Sequence, residues 1–230
     1  MTLFRNIFFT AFFAGLVAGL ALTAIQTFTT VPLILQAETF ESAAPEAPAA
    51  ADGHEHTHDA DAWAPEDGFE RLAFTALANV LSAVGFALVL VTAAELRGGL
   101  ANWREGLLWG LAGFAVFTLA PSLGLPPELP TMPAAPLDQR QLWWVATVIL
   151  TAGGLALLVF GRQLALAALG LVLIVAPHII GAPMPESFDS ILPRALEHHF
   201  ITAVVVSSFV FWALAGTFAG LIRPRLQAAK

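Results

Sequence analysis

The stretch NIFFTAFFAGLVAGLALTAI, Asn6 to Ile25, decides the class of this protein. A helix crossing a hydrocarbon core of about 30 Å needs about 20 consecutive, mainly apolar residues. This stretch supplies them without a charge. Arg5 stands just before it, and Gln26 just after it, followed by VPLILQAE. The run is longer than a usual signal core, and no clean small-x-small site follows it. It therefore reads as a retained helix rather than a removed leader.

The same rule applied outward finds five more runs, so six spans are expected, near residues 7–31, 71–94, 105–121, 142–160, 164–180 and 200–222. The fourth and fifth are joined by only GRQ, Gly161 to Gln163, so five spans stay open as an alternative. The expected fold is all-α, a polytopic helical membrane protein forming one membrane domain over residues 1–230. Composition agrees. The chain is 57% hydrophobic and 12% charged, with mean hydropathy +0.76, whereas a soluble domain is about a quarter charged.

Several function classes drop out. There is no cysteine, so disulfides, iron–sulfur clusters and thiolate metal sites are excluded. The single lysine is Lys230, so no Walker A lysine exists to reach nucleotide phosphates. Neither H-E-x-x-H nor G-x-S-x-G occurs, and no nucleophile–base pair is visible. The expectation is a non-enzyme, with no nucleic-acid partner.

The connections are unequal. Residues 32–70 are rich in Ala, Pro, Glu and Asp and read as an outer acidic, His-rich loop, much of it disordered. The loop 121–141 carries six prolines, in PSLGLPPELPTMPAAP, which lack donors and fix φ, so a stiff extended cap rather than a helix is expected. With both termini cytoplasmic, Arg5, Arg97, Arg104, Arg162, Arg223, Arg225 and Lys230 lie inside, and only Arg71, Arg140 and Arg194 outside. That bias sets the orientation. Of the acids, only Glu95 and Glu105 then lie inside, and all six histidines face out.

His54, His56 and His58 in HEHTH are spaced so that an extended chain puts all three on one face. Neutral imidazoles, with Asp52, Glu55 or Asp59 nearby, suit cobalt, nickel, copper or zinc. A passive, solvated loop is the plainer alternative. His178 follows Pro177 in APHIIGAP. Proline costs the helix an N–H and unseats the Leu173 carbonyl, and broken helices at membrane depth expose oxygens to ions. A simple helix stop at the interface reads equally well. His198 and His199, in LEHHF, point about 100° apart on a helix, so one faces the bundle and one faces water or headgroups. Gln26 and Asn79 are amides inside spans, for which helix–helix hydrogen bonding is the ordinary explanation. Glu38 and Gln26 are candidate oxygen ligands. Three small-x-x-x-small pairs, Gly15/Gly19, Gly106/Gly110 and Gly216/Gly220, offer close helix contacts, within the chain or in a homo-oligomer. Trp63, Trp103, Trp143 and Trp144 fit interface anchors.

Four stretches together resemble a known family. They are the opening span with VPLILQAE, the His/acid loop before WAPEDGFER, the run GLLWGLAGFAVFTLAPSLGLPPELPTMPAAPLDQRQLWW, and PHIIGAP. The irregular proline run joined to RQLWW is the most specific of them. The chain is similar over nearly its whole length to CbtA, the predicted cobalt transporter subunit. The resemblance implies five spans, a role in supplying cobalt for cobalamin synthesis, and a small single-span, His-rich partner, CbtB. It carries over no ligand residues.

The expected protein is therefore a bacterial inner-membrane cobalt(II) uptake subunit, with nickel or zinc as alternative cargo. His54, His56 and His58 would collect the ion. His178, His198 or His199, and Glu38 would receive it near the outer ends of the spans. Two other functions stay open: a haem-binding electron-transfer protein using His178 and one of the paired histidines, and a metal-sensing or assembly subunit that moves nothing.

Overall fold

The computed structural model describes residues 2–43 and 65–228. His54, His56 and His58 lie outside the described residues, as do Asp52, Glu55, Asp59 and Lys230. The described chain is helical throughout its regular structure. The helices are α1 (Thr2–Phe28), α2 (Thr30–Ala43), α3 (Phe69–Glu95), α4 (Trp103–Ser122), α5 (Leu137–Phe160), α6 (Leu164–Ile180) and α7 (Arg194–Ala228). Five of them (α1, α3, α4, α5 and α7) are long and apolar enough to cross a membrane. The 17-residue α6 is shorter, about 25 Å at 1.5 Å per residue.

Side-chain contacts fix which helix ends lie together. Asn6 Nδ2 donates to Leu226 O at 3.4 Å, so the first and last helices begin and end at the same end of the bundle. Glu95 at the end of α3 pairs with Arg223 of α7. Arg97 lies over the Phe160 ring, 3.9 Å from its centroid, which adds the end of α5 to this group. At the far end, Trp143 near the start of α5 donates to Pro177 O near the end of α6, at 3.3 Å. Although short, α6 carries the chain from the Arg162 turn back to the level of Trp143.

Helices in a bilayer gain little from burying apolar surface against each other, so close backbone packing takes over. Glycines and alanines do this here. A Cβ on Gly15 would sit 2.6 Å from Val84 Cα, and one on Gly19 would sit 2.7 Å from Val80 Cα, so α1 lies directly on α3. Ala11, Ala14 and Ala18 of α1 and Ala83, Ala87 and Ala94 of α3 continue that seam, all fully or almost fully buried. The other two small-residue pairs meet each other. A Cβ on Gly106 would approach Gly220 Cα to 2.8 Å, and one on Gly216 would approach Gly110 Cα to 2.7 Å, which locks α4 to α7. Gly154 and Gly170 play the same part in the α5–α6 hairpin. The side chains that would be stranded in water, Phe4, Phe8, Phe9, Phe12 and Phe13 among them, are exposed on the outer surface of α1, where lipid solvates them.

Three local features differ from the sequence expectation. Residues 32–43, assigned above to the loop, belong to α2. Pro32 falls in the first turn of that helix, where its missing N–H costs nothing. The helix break falls at Thr29, between α1 and α2, whereas α6 continues through Pro177 to Ile180. There Gly181, at φ 88°, ends the helix and donates to Pro177 O. Finally, α4 widens into a π-helical turn over Ala115–Leu119. Of the proline-rich loop, residues 123–136 are free of helix, as expected, whereas Pro121 and Ser122 still belong to α4 and residues 137–141 already to α5. The loop folds inward, with Leu129 buried beside Ala37, Leu192, Leu196 and Phe200.

Candidate functional site

The end of the bundle opposite the termini carries the chemistry. Among the described residues it holds ten carboxylates and three arginines, whereas the terminal end holds six arginines and only Glu95 and Glu105. Both acids of the terminal end are engaged. Glu95 pairs with buried Arg223. Glu105 accepts from Ala101 N and Asn102 Nδ2, while the Asn102 side chain caps the amides of Arg104 and Glu105.

At the acidic end, the α1–α2 break and the start of α3 build a polar cluster. Arg71 donates to both oxygens of Glu38, through Nη2 to Oε1 and through Nη1 to Oε2 at 3.2 Å, and also to Asp67 Oδ1 at 2.8 Å. One level deeper, Asn79 Nδ2 donates to Gln26 Oε1 at 2.7 Å and to Thr23 Oγ1 at 3.0 Å. Between these levels lies a small cavity of about 120 Å³, lined by Gln26, Thr30, Val31, Ile34, Arg71 and Thr75. A polar pocket of this kind inside a span is costly unless its groups pair, and here they pair across the α1–α3 seam.

The three described histidines lie on other helices. The His178 ring, half-buried, meets Trp143 edge-on with centroids 6.0 Å apart. His198 and His199 are both exposed at the start of α7, so neither turns into the bundle, where one was expected to point. The neighbouring Glu197 has a buried Oε1 with no hydrogen-bond partner. Across the proline-rich cap, Arg140 holds Glu128 at 2.6 Å, and burial pushes the Glu128 carboxyl above the usual carboxylate range against the pull of that arginine. Among the described residues, no group of three or more His, Asp or Glu is placed to hold one metal ion. His178, His198, His199 and Glu38 thus share an end of the bundle without forming a common ligand set.

Sequence reading singled out Glu38, Gln26 and Asn79 but missed Arg71, which binds Glu38, and Thr23. A lone arginine at the very start of an apolar span, after EDGFE, was the available signal. Burial in a span makes such a charge expensive without a carboxylate nearby. The π-helical turn had no sequence signal. Trp212 Nε1 donates to Thr118 Oγ1 within it at 3.2 Å, and the Trp212 ring stacks on Phe117.

No curated protein and no solved structure shows a match to the chain. The family described as "Probable cobalt transporter subunit (CbtA)" matches residues 4–223, nearly the whole length. The chain belongs to the CbtA family of probable cobalt transporter subunits.

Proposed function

We propose that this chain is the membrane-spanning subunit of a cobalt(II) uptake system in the bacterial inner membrane, supplying cobalt for cobalamin synthesis. The observation that carries this reading is the charge segregation: one end of a transporter-family bundle is acidic and bears every described histidine. The six arginines of the opposite end support a cytoplasmic reading for it and for both termini, because Lys and Arg are retained on the inside.

The acidic face raises the local concentration of dications by focusing the field. His54, His56 and His58, with the acids around them, collect the ion there. His178, His198, His199 and Glu38 are the groups that receive it. A metal ion taking Glu38 must compete with the Arg71 guanidinium, so Arg71 serves as a tethered cation that yields Glu38 to an incoming one. Mixed nitrogen and oxygen ligation suits cobalt and also nickel or zinc, so selectivity rests on geometry. A membrane potential of 100 mV, negative inside, favours entry of a dication by about 4–5 kcal/mol. The partner that the word subunit implies is, in this reading, a small single-span, His-rich protein of the CbtB kind.

The test is accumulation of labelled cobalt in cells lacking their own cobalt importers, expressing this chain with and without that partner. Accumulation well above empty vector, little competed by magnesium, is expected. Accumulation at vector level, with both proteins present in the membrane, would sink the uptake reading.

A further inference from the structure

A groove at the terminal end of the bundle takes no part in the proposed metal path. It has a volume of about 890 Å³ and runs between α3, α4 and α5. That volume falls in the range of about 300–1,000 Å³ typical of small-ligand sites. Its origin lies in how the α5–α6 hairpin docks. The hairpin's backbone comes close to the rest of the bundle at the π-helical turn and at Ala120–Ser122 just beyond it, while at its other end the long side chains of Arg97 and Trp109 reach across to Phe160. A Cβ on Gly124 would come within 2.9 Å of the Ala182 Cβ, and Trp143 fills the space beside it. Away from that junction the helices splay, and the wedge between them is the groove.

Its walls are apolar, with Ala93, Ala112, Gly113, Ala152 and Ala156 leaving room between larger side chains. Val89, Leu108 and Val159 on its rim are exposed, so it opens sideways. Its depth is the informative quantity. The wall segments run from Val89 to Arg97, from Glu105 to Phe117 and from Ala152 to Gly161, which is about 12–18 Å of helix at 1.5 Å per residue. That is half of a hydrocarbon core of about 30 Å, one leaflet deep. A spanning helix of a partner would need the full thickness, and Trp212 and Phe117 close the groove halfway.

The mouth is basic. Arg97 is exposed, lines the groove and rests on Phe160. Arg162 follows directly on the lining residue Gly161, and Arg104 precedes the lining residue Glu105. The one acid there, Glu105, has both oxygens committed to the start of α4. An apolar slot one leaflet deep, headed by a guanidinium, fits a molecule with a phosphate at one end and hydrocarbon at the other.

We propose that this groove is a phospholipid site, with an acyl chain between α3, α4 and α5 and the phosphate on Arg97. The experiment is native mass spectrometry of the full chain in detergent, with dioleoyl phosphatidylglycerol added as the probe. The wild type should retain one phospholipid per chain. Ala156→Trp puts an indole into the groove from an exposed wall position and should abolish retention. Arg97→Gln should weaken it about tenfold, the loss of one charge-assisted hydrogen bond. Leu77→Trp, on the exposed surface of α3 outside the groove, should change nothing, which separates filling the groove from adding a tryptophan. Failure of the wild type to retain phospholipid, or equal retention by Ala156→Trp, would overturn the proposal. So would a polypeptide bound one-to-one that Ala156→Trp displaces, which would assign the groove to a partner helix.

Discussion

Arg223 of α7 and Glu95 at the last turn of α3 form an ion pair across 128 residues of sequence, with their side chains only 2% and 13% exposed. With the Gln227 amide assigned so that its oxygen faces Arg223, it accepts from Nη1 and Nη2 at 2.8 and 3.0 Å. Removing one partner of such a pair strands a largely buried charge. Arg223→Leu should destabilise the protein by about 3–5 kcal/mol. The double variant Arg223→Leu/Glu95→Leu should recover most of that loss. Thermal unfolding in detergent measures both, and a double variant no better than the single one would show that the pair does more than neutralise itself.

The glycine seams predict a sharp contrast between positions. Gly216→Leu must push α7 off α4, because even a Cβ would approach Gly110 Cα to 2.7 Å. Folded protein recovered by size-exclusion chromatography should fall severely. Gly85→Ala meets nothing within 4 Å and should be neutral or stabilising by up to about 1 kcal/mol. Equal losses from the two would mean that the α4–α7 contact is not formed.

Asn79 ties α1 to α3 through Gln26 and Thr23. Asn79→Leu should cost about 0.6–2 kcal/mol, as interhelical hydrogen bonds in membranes do, and should leave cobalt uptake intact once the lower protein level is allowed for. Uptake lost at normal protein level would move the amide cluster from structure to transport.

Glu38 and Arg71 test the competition between guanidinium and metal. Glu38→Gln should lower uptake when cobalt is scarce. Arg71→Gln removes the guanidinium that competes with metal for the Glu38 and Asp67 carboxylates, and should leave the half-saturating cobalt concentration unchanged or lowered severalfold. A severalfold rise would show that Arg71 holds Glu38 in the geometry that uptake needs.

The histidine loop gives a further transport prediction. Replacing His54, His56 and His58 together by alanine should reduce uptake at scarce cobalt and restore it at high cobalt, the signature of a collector. Labelled-cobalt uptake across a concentration series reads this directly, and an unchanged curve would refute the collector role.

Much of the site is legible only in pieces. Glu38, Gln26, Asn79 and the histidines stand out in the sequence because a polar residue in or beside an apolar run is conspicuous wherever it ends up. Their partners do not stand out. Arg71 binds Glu38 across 33 residues and Asn79 meets Gln26 across 53, and nothing local encodes those pairings.

The sequence by itself determined the membrane class and located the apolar helices, because length and hydropathy act residue by residue along the chain, but of the six expected spans five are long enough to cross and the fifth run forms a helix of only 17 residues. It also determined the helix-free proline segment, because proline's missing donor and fixed φ are local. Only the tertiary structure decided that Gly106/Gly110 faces Gly216/Gly220 and that the first helix breaks at Thr29. It alone decided that the α5–α6 hairpin splays to leave a groove. Those outcomes depend on which distant surfaces approach within a Cβ's width, and that is a property of the packed bundle rather than of any one segment.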